Sequence, residues 1–304
     1  MKRVTEEVLR KSLGFDLPRH VSASLSDHQL MYEDLNQDEF NSYILKYLKT
    51  LDTDLKAAGE HRINDWESGW GENLKDYLKS GDADSLTPKY HTKSNISKLD
   101  GKIIKTQGTG FDFRLHSLIV DSVLDRYSEQ FDKICEFGCG TGYHLLRLSE
   151  RVKHRKLFGL DWSKSSQEIL REISIRNQST NNIYGHNFDY FKPDYDFDVN
   201  DSLVYTIASL EQIGTRHEDF LKYILDKKPS LCVHMEPISE VFDENNLLDY
   251  LNIKYFEKRN YLKGFLTKLK SLEKEGKAKI IEERRLNYGS EFIEGHTLII
   301  WKPV

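Results

Sequence analysis

Residues 135–144 read CEFGCGTGYH and set three glycines directly after a short apolar segment. Glycine lets a strand turn sharply into a helix while the backbone comes within contact distance of a ligand. Gly138, Gly140 and Gly142 follow a G-x-G-x-G pattern, whereas dinucleotide-binding loops have G-x-G-x-x-G and a P-loop ends in Lys-Ser or Lys-Thr. The stretch therefore predicts a strand, a ligand-binding loop and a helix. The shorter loop favours a cofactor smaller than a dinucleotide.

Short apolar segments alternate with helical patterns after this loop, which is typical of a parallel sheet covered on both faces. The five predicted strands are KICEF (133–137), KLFGL (156–160), NNIYGH (181–186), SLVYTIASL (202–210) and SLCVHM (230–235). Near the end, a long helix is predicted over 257–276. Two further strands at 277–286 and 296–304 are close enough in sequence to pair antiparallel. The fold class is α/β: a doubly wound seven-stranded sheet, mostly parallel, with a C-terminal antiparallel hairpin.

The first 110 residues have a different character, and we interpret residues 1–110 as a mainly helical N-terminal extension or lid. Residues 6–13 and 38–58 have apolar side chains at helical spacing. The stretch NDWESGWGENL (64–74) is predicted to be a loop with two tryptophans. The regular domain is predicted to span 111–304.

Composition restricts the class of protein. Apolar residues make up 38% and charged residues 31% of the 304, as in ordinary globular proteins. The net charge of -5 argues against general nucleic-acid binding. The charged start of the chain lacks the apolar core of a secretion signal and no run approaches a membrane span, so we expect a cytoplasmic protein. Three cysteines without paired spacing predict structural thiols, and no metal site is expected.

Several motifs in the same order as in a known family surround the glycine loop. Glu136 precedes the loop, Asp161 ends the second strand, and GHNFDYF (185–191) follows the third. Over roughly 112–304 the sequence resembles a class I S-adenosylmethionine-dependent methyltransferase. The resemblance implies that Asp161 binds both ribose hydroxyls, Phe188 packs on the adenine and Asp189 reaches the adenine amine. The cofactor-binding residues implied are Glu136, Gly138, Gly140, Gly142, Asp161, Trp162, Phe188 and Asp189.

Two of these assignments have alternatives that the sequence leaves open. Asp161 is also placed to cap a helix that begins near Ser163. Asp189 stands in an acidic and aromatic segment, so a solvated turn is the other interpretation.

Methyl transfer from a sulfonium is an in-line displacement, and a hydroxyl acceptor also needs a base. Thr215 and Glu218 form a capping-box pattern that predicts a helix start at Thr215, with a neutral His217 in its first turn as a candidate base. Glu211 and Glu236, at the ends of two strands, are the competing candidates. A surface position is the alternative for His217.

Side chains for the acceptor are predicted from the extension and from the fifth strand. Trp66, Trp70 and Asn73 suit a carbohydrate or another ring-bearing ligand, with core packing as the alternative. His234 is a further candidate, although a core position is the other interpretation.

The sequence therefore predicts a methyltransferase that O-methylates a sugar or another small-molecule hydroxyl. The alternatives are N-methylation of a small molecule, a cofactor-binding partner subunit without turnover, and an NAD-dependent oxidoreductase. The oligomeric state stays open.

Overall fold

A computed structural model describes residues 1–92, 94–176 and 182–304. The helices in chain order are α1 (Glu6–Leu13), α2 (Arg19–His28), α3 (Gln37–Asp52), α4 (Ile63–Ser80), α5 (Phe111–Ser128), α6 (Tyr143–Arg151), α7 (Lys164–Arg176), α8 (Glu218–Lys227), α9 (Leu247–Arg259) and α10 (Phe265–Lys274). The strands are β1 (Lys2–Arg3), β2 (Met31–Asp34), β3 (Ile96–Leu99), β4 (Lys102–Thr106), β5 (Lys133–Phe137), β6 (Lys156–Asp161), β7 (Ile183–Asn187), β8 (Leu203–Ile207), β9 (Leu231–Pro237), β10 (Ala278–Arg285), β11 (Tyr288–Gly289) and β12 (His296–Pro303).

The larger sheet has seven strands in the order β10-β12-β9-β8-β5-β6-β7. Strands β5 to β9 pair in parallel, while β12 is antiparallel to both β9 and β10. All residues of β8 and β9 are buried, as expected for strands covered on both faces. The predicted doubly wound sheet with its C-terminal hairpin is confirmed. The first residue of the predicted third strand, Asn181, lies outside the described residues.

The N-terminal extension is helical, as predicted, but it also contributes to a second sheet that the sequence patterns did not predict. This five-stranded antiparallel sheet has the order β1-β2-β4-β3-β11. Its last strand comes from the loop between β10 and β12, where Tyr288 pairs with Leu99. One hydrophobic cluster contains both Leu9 of the extension and Leu118 of α5. The extension therefore shares its core with the rest of the chain.

Three local predictions were wrong. The tryptophan segment is helix α4, because Trp70, Asn73 and Tyr77 recur at helical spacing on its buried side. The single long helix over 257–276 is two helices, since Asn260 ends α9 in the left-handed conformation at φ 51°. Helix α8 begins at Glu218 instead of Thr215, and no side chain caps its start.

These elements leave a cavity at the carboxyl ends of the parallel strands, beneath α4 of the extension. In open α/β sheets this edge is where ligands bind. Within the described ranges, no helix combines the length and the apolar character that a membrane span requires.

Candidate active site

The glycine loop after β5 lies against its neighbours at van der Waals distance. Gly138, Gly140 and Gly142 all have positive φ, between 53° and 69°. A Cβ on Gly138 would stand 2.4 Å from the Cβ of Ser209, and one on Gly142 would stand 2.6 Å from Leu170 Cδ2. Glycine is therefore required for both backbone conformation and space. Gly138 and Gly140 line the cavity, whereas Gly142 allows the start of α6 to pack against α7.

Asp161, the last residue of β6, holds this loop in place through a side-chain hydrogen bond. Its Oδ2 accepts a hydrogen bond from Gly140 N at 3.0 Å, and its Oδ1 accepts one from Ser163 N at 2.8 Å. Burial raises the pKa of Asp161 to about 6. Both interpretations of Asp161 have a structural basis: its carboxylate faces the cavity and also holds the segment that leads into α7. Because a carboxylate has about four acceptor positions, it can still accept ribose hydroxyls.

Aromatic rings form the wall beyond Asp161. Trp162 and Phe188 line the cavity, and Phe188 packs edge-on against Phe137 with ring centroids 4.7 Å apart. Asp189 lies outside this lining, and its Oδ1 accepts a hydrogen bond from Phe191 N at 2.8 Å. That geometry is the turn that was the alternative interpretation of Asp189.

Glu136, the acid before the glycine loop, also lines the cavity. Its Oε2 accepts a hydrogen bond from the Tyr205 hydroxyl at 3.0 Å, and burial raises its pKa to about 8. The carboxyl group is therefore placed to meet a cationic group of a ligand, which would favour its ionised form.

Helix α4 covers the glycine loop. Trp66 and Trp70 stack with ring centroids 5.3 Å apart, and both line the cavity. A Cβ on Gly140 would stand 3.0 Å from Trp70 Cζ2, so the indole lies directly on the loop. Asn73 is buried elsewhere, because its amide donates to the carbonyl oxygens of Ser85 and Thr87.

Glu67, between the two tryptophans, anchors this helix, and sequence reasoning missed it. Its carboxylate accepts hydrogen bonds from Ser163 Oγ at 2.8 Å, Lys164 N at 2.7 Å and Ser165 Oγ at 2.6 Å. These donors stand at the start of α7, where a carboxylate is favoured by free amide groups and the helix dipole. The extension thus caps a helix that packs on the larger sheet.

The candidate bases at the strand ends differ in position. Glu211 lines the cavity, and burial, with the nearby Glu236, raises the pKa of Glu211 to about 8. Glu236 lies behind it and accepts hydrogen bonds from Ser209 N and Glu211 N at 3.2 and 3.3 Å. Burial raises the pKa of Glu236 to about 7. Its contacts shape the loop that presents Glu211.

His217 and His234 stand apart from the described lining of the cavity. His217 Nε2 donates to Lys263 O at 3.1 Å, and its ring packs edge-on against Phe265. Burial lowers the pKa of His217, so the ring is neutral for a reason other than the expected helix dipole. His234 Nδ1 is 2.9 Å from Thr206 Oγ1 within the core, which matches the core interpretation.

Four histidines form another wall of the cavity, and one of them, His296, begins β12, which lies on the other side of the sheet from β6 with its Asp161. Burial lowers the pKa of His116 well below its usual value, and lowers those of His144 and His296 to about 3. His116 Nδ1 is 2.7 Å from the Tyr288 hydroxyl. The fourth is His91, from the extension. Within the part of the chain that the structure describes, no three His, Cys, Asp or Glu side chains are arranged to hold a metal ion.

Sequence patterns did not predict this wall. The four residues come from separate elements: His91 precedes β3, His116 is in α5, His144 is in α6 and His296 begins β12. No spacing along the chain connects them.

Comparisons with known proteins bear on the fold. No protein-family model and no curated protein matches the sequence. Among solved structures, the chain is similar to the cyclase SpnF, with 12% identity, a TM-score of 0.52, and coverage of 82% of this chain and 97% of that one. A SAM-dependent methyltransferase from Aquifex aeolicus has 13% identity and a TM-score of 0.42, covering 61% and 89%. The methyltransferase domain of bacterial-CtHen1-C has 17% identity and a TM-score of 0.47, covering 62% and 98%.

The strand order and the pairing directions place the chain among proteins with the class I methyltransferase fold, as the sequence predicted. Identities this low show the fold alone. The reaction depends on the residues that line the cavity.

Proposed function

We propose that the protein is an S-adenosylmethionine-dependent methyltransferase whose acceptor is a hydroxyl group on a small, ring-bearing molecule such as a sugar. One observation carries the proposal. A single cavity joins the glycine loop and Asp161 at one end to Glu211 and the histidine wall at the other. Such a cavity can hold a methyl donor and an acceptor side by side. A cytoplasmic location is part of the same proposal.

The residues at the first end fit the cofactor. Asp161 would accept the ribose hydroxyls, Trp162 and Phe188 would contact the adenine, and Glu136 would attract the amino group of the methionine part. Gly138 and Gly140 face the cavity, so the loop places no side chain in the cavity at these two positions. The cofactor supplies an activated methyl group on a positively charged sulfur. The protein has to bind the cofactor and the acceptor, orient them and exclude water.

The residues at the second end favour an uncharged acceptor. The imidazoles of His116, His144 and His296 are neutral because of burial, so they bind hydroxyl groups without attracting an anion. Glu211, with a pKa of about 8, is largely protonated at pH 7 and offers both a donor and an acceptor. Trp66 and Trp70 line the same cavity from the side of the glycine loop, and they present flat apolar faces of the kind that contact sugar and aromatic rings. A hydroxyl acceptor therefore fits better than an ionised amine.

A cofactor-binding protein without methyl transfer is the second candidate. The observation in its favour is the fold: the solved structure with a TM-score of 0.52 is named a cyclase. A class I methyltransferase fold therefore does not by itself specify methyl transfer.

Calorimetry and product analysis test the proposal. We expect S-adenosylhomocysteine to bind with micromolar affinity and NADH to give no heat of binding. Incubation with S-adenosylmethionine and a panel of monosaccharides, nucleoside sugars, phenols and small amines should then release S-adenosylhomocysteine with a methyl ether as the second product. Binding without product across the panel would favour the second candidate. No binding of S-adenosylhomocysteine would refute both.

A further inference from the structure

His91 of the extension and Asp112 of α5 meet at the histidine end of the cavity. His91 Nδ1 lies 3.2 Å from Asp112 Oδ2, and both side chains line the cavity. The other carboxylate oxygen, Oδ1, is buried, and the described residues offer it no hydrogen-bond partner. Both side chains therefore lie in the cavity wall, and one carboxylate oxygen of Asp112 is not used in a hydrogen bond among the described residues.

The contact determines which nitrogen of His91 is basic. A carboxylate only accepts hydrogen bonds, so Nδ1 of His91 must carry the proton. The unprotonated lone pair then lies on Nε2, on the far side of the ring from Asp112. Asp112 is in the first turn of α5, at the positive end of the helix dipole. A carboxylate behind an imidazole holds the ring in one tautomer and stabilises the imidazolium that forms when it takes a proton.

Neighbouring rings fix the orientation of this imidazole. The His91 ring lies 4.5 Å from Tyr90, 4.9 Å from Phe113 and 6.3 Å from His116, measured between centroids. A general base must be held within hydrogen-bonding reach of the proton that it removes. Aromatic packing on three sides supplies that constraint.

The other histidines of the wall are poorer bases. A base has to carry the positive charge after it accepts the proton. Burial opposes that charge at His144 and His296, whose Nδ1 atoms have no partner among the described residues. His116 Nδ1 is engaged with the Tyr288 hydroxyl.

We propose that His91 is the general base for the acceptor and that Asp112 is its positioning residue. The inference rests on the proposed function. As the acceptor oxygen forms its bond to the methyl carbon, the carbon–sulfur bond breaks and its electron pair stays on sulfur. The hydroxyl proton passes to His91 Nε2. A methyl ether, S-adenosylhomocysteine and an imidazolium result, and the imidazolium returns its proton to solvent. The extension thus supplies the base as well as the cover.

The first test needs neither cofactor nor acceptor. Two-bond nitrogen–proton NMR of the imidazoles in the full chain reports which ring nitrogen carries the proton. We expect His91 in the Nδ1–H form, and a mixture of tautomers in Asp112→Asn. The Nε2–H form in the unmodified protein would overturn the proposal, whether or not methyl transfer has been detected.

The second test uses turnover with any acceptor that the panel yields. His91→Ala should lose at least about 100-fold in kcat, the usual contribution of a general base, while its affinity for S-adenosylhomocysteine stays within about threefold. Imidazole added to the buffer should restore part of the rate. Asp112→Asn should lower kcat at least about tenfold with KM within about threefold.

A matched control exists on the surface. His20 Nδ1 lies 3.3 Å from Asp125 Oδ2, outside the cavity, so His20→Asn removes a similar pair. Its kcat should stay within twofold of the unmodified protein. Normal turnover of His91→Ala would refute the base assignment and leave the methyltransferase proposal standing. Failure of the unmodified chain to bind S-adenosylhomocysteine would refute the methyltransferase proposal instead.

Discussion

The two ends of the cavity are built in different ways. The cofactor end comes from consecutive strand–loop–helix units between Glu136 and Phe191, and the hydrogen bond from Gly140 N to Asp161 Oδ2 joins two of these units. The acceptor end is assembled from distant parts of the chain. His91 belongs to the extension, Glu211 to the loop after β8 and His296 to β12. Local geometry makes the first end, whereas tertiary packing makes the second.

This difference predicts which property each end controls. Changes in the glycine loop act through backbone conformation, so they should appear mainly in cofactor affinity. Changes in the histidine wall alter side-chain chemistry on a scaffold that stays in place, so they should appear mainly in turnover. A glycine-loop variant with normal affinity, or a histidine variant without affinity, would break the distinction.

The largest effect is expected for Gly138→Ala. A Cβ at this position would stand 2.4 Å from the Cβ of Ser209, in a backbone conformation with φ 68° that side chains disfavour. The loop must shift, so we expect at least about a 100-fold loss of affinity for S-adenosylhomocysteine, or about 2.7 kcal/mol. Titration calorimetry with S-adenosylhomocysteine measures this loss of affinity.

The matched control is Gly108→Ala. Gly108 has φ 82°, but no atom lies within 4 Å of the position that an added Cβ would take, so the substitution adds backbone strain without the clash. Its cofactor affinity should stay within about threefold. Equal losses in both variants would mean that strain alone, and not the packing of the loop, sets the affinity.

A tenfold effect is expected for Asp161→Ala. The substitution removes the acceptors of the ribose hydroxyls and also releases Gly140 N and Ser163 N. Affinity for S-adenosylhomocysteine should fall at least about tenfold, or about 1.4 kcal/mol. Asp189→Ala serves as the control, because Asp189 forms a turn outside the lining, and its affinity should change by less than about threefold. A larger loss of affinity in Asp189→Ala than in Asp161→Ala would contradict the assignment of Asp161 to the ribose.

Glu67 joins the extension to the cofactor end, since it holds α4 to the start of α7. Glu67→Ala should lower the free energy of unfolding by about 1–2 kcal/mol, the range for a lost helix cap. Cofactor affinity should fall about threefold, because Trp70 rests on the glycine loop. Denaturant unfolding and calorimetry measure these effects. The control Glu72→Ala removes an exposed ion pair with Lys89 and should cost less than about 1 kcal/mol. Equal losses of unfolding free energy in Glu67→Ala and Glu72→Ala would refute the role of Glu67 as a helix cap.

Sequence patterns predicted the fold of the larger sheet because its determinants are local. Each strand is a short apolar run, and the glycine spacing reports a turn whose backbone conformation only glycine accepts readily. The same locality placed Glu136, Asp161 and Phe188 at one edge of the sheet.

The acceptor end could not be predicted in this way. The contact between His91 and Asp112 depends on how the extension packs on α5, and helical or strand periodicity carries no such information. The tryptophan segment contains Gly69 and Gly71, which have low helix propensity, but tertiary packing of Trp70 and Tyr77 stabilises a helix there instead of the predicted loop. His217 was favoured from its position after β8, but packing turns its ring onto Phe265.

The smallest effect concerns Glu211 and the cost of burying a carboxyl group at the acceptor end. Burial, followed by the charge of Glu236, raises the pKa of Glu211 from 4.5 to about 8. Below pH 4.5 both the folded and unfolded states bind the proton, so ionisation does not affect stability. Between pH 4.5 and 8 the unfolded state releases the proton and the folded state keeps it, so stability falls as pH rises.

Glu211→Gln removes this penalty and keeps an oxygen for the hydrogen bond from Gln212. The variant should therefore gain a few degrees in Tm over the unmodified protein at pH 8.5, and show little or no gain at pH 4.5. Thermal unfolding at both pH values tests this, with the exposed Glu150→Gln as the control. A gain that is the same at both pH values would mean that the carboxyl group is ionised without cost in the folded protein. Glu211 would then compete with His91 as the base. The acceptor end would in that case hold a charged carboxylate, as the cofactor end does.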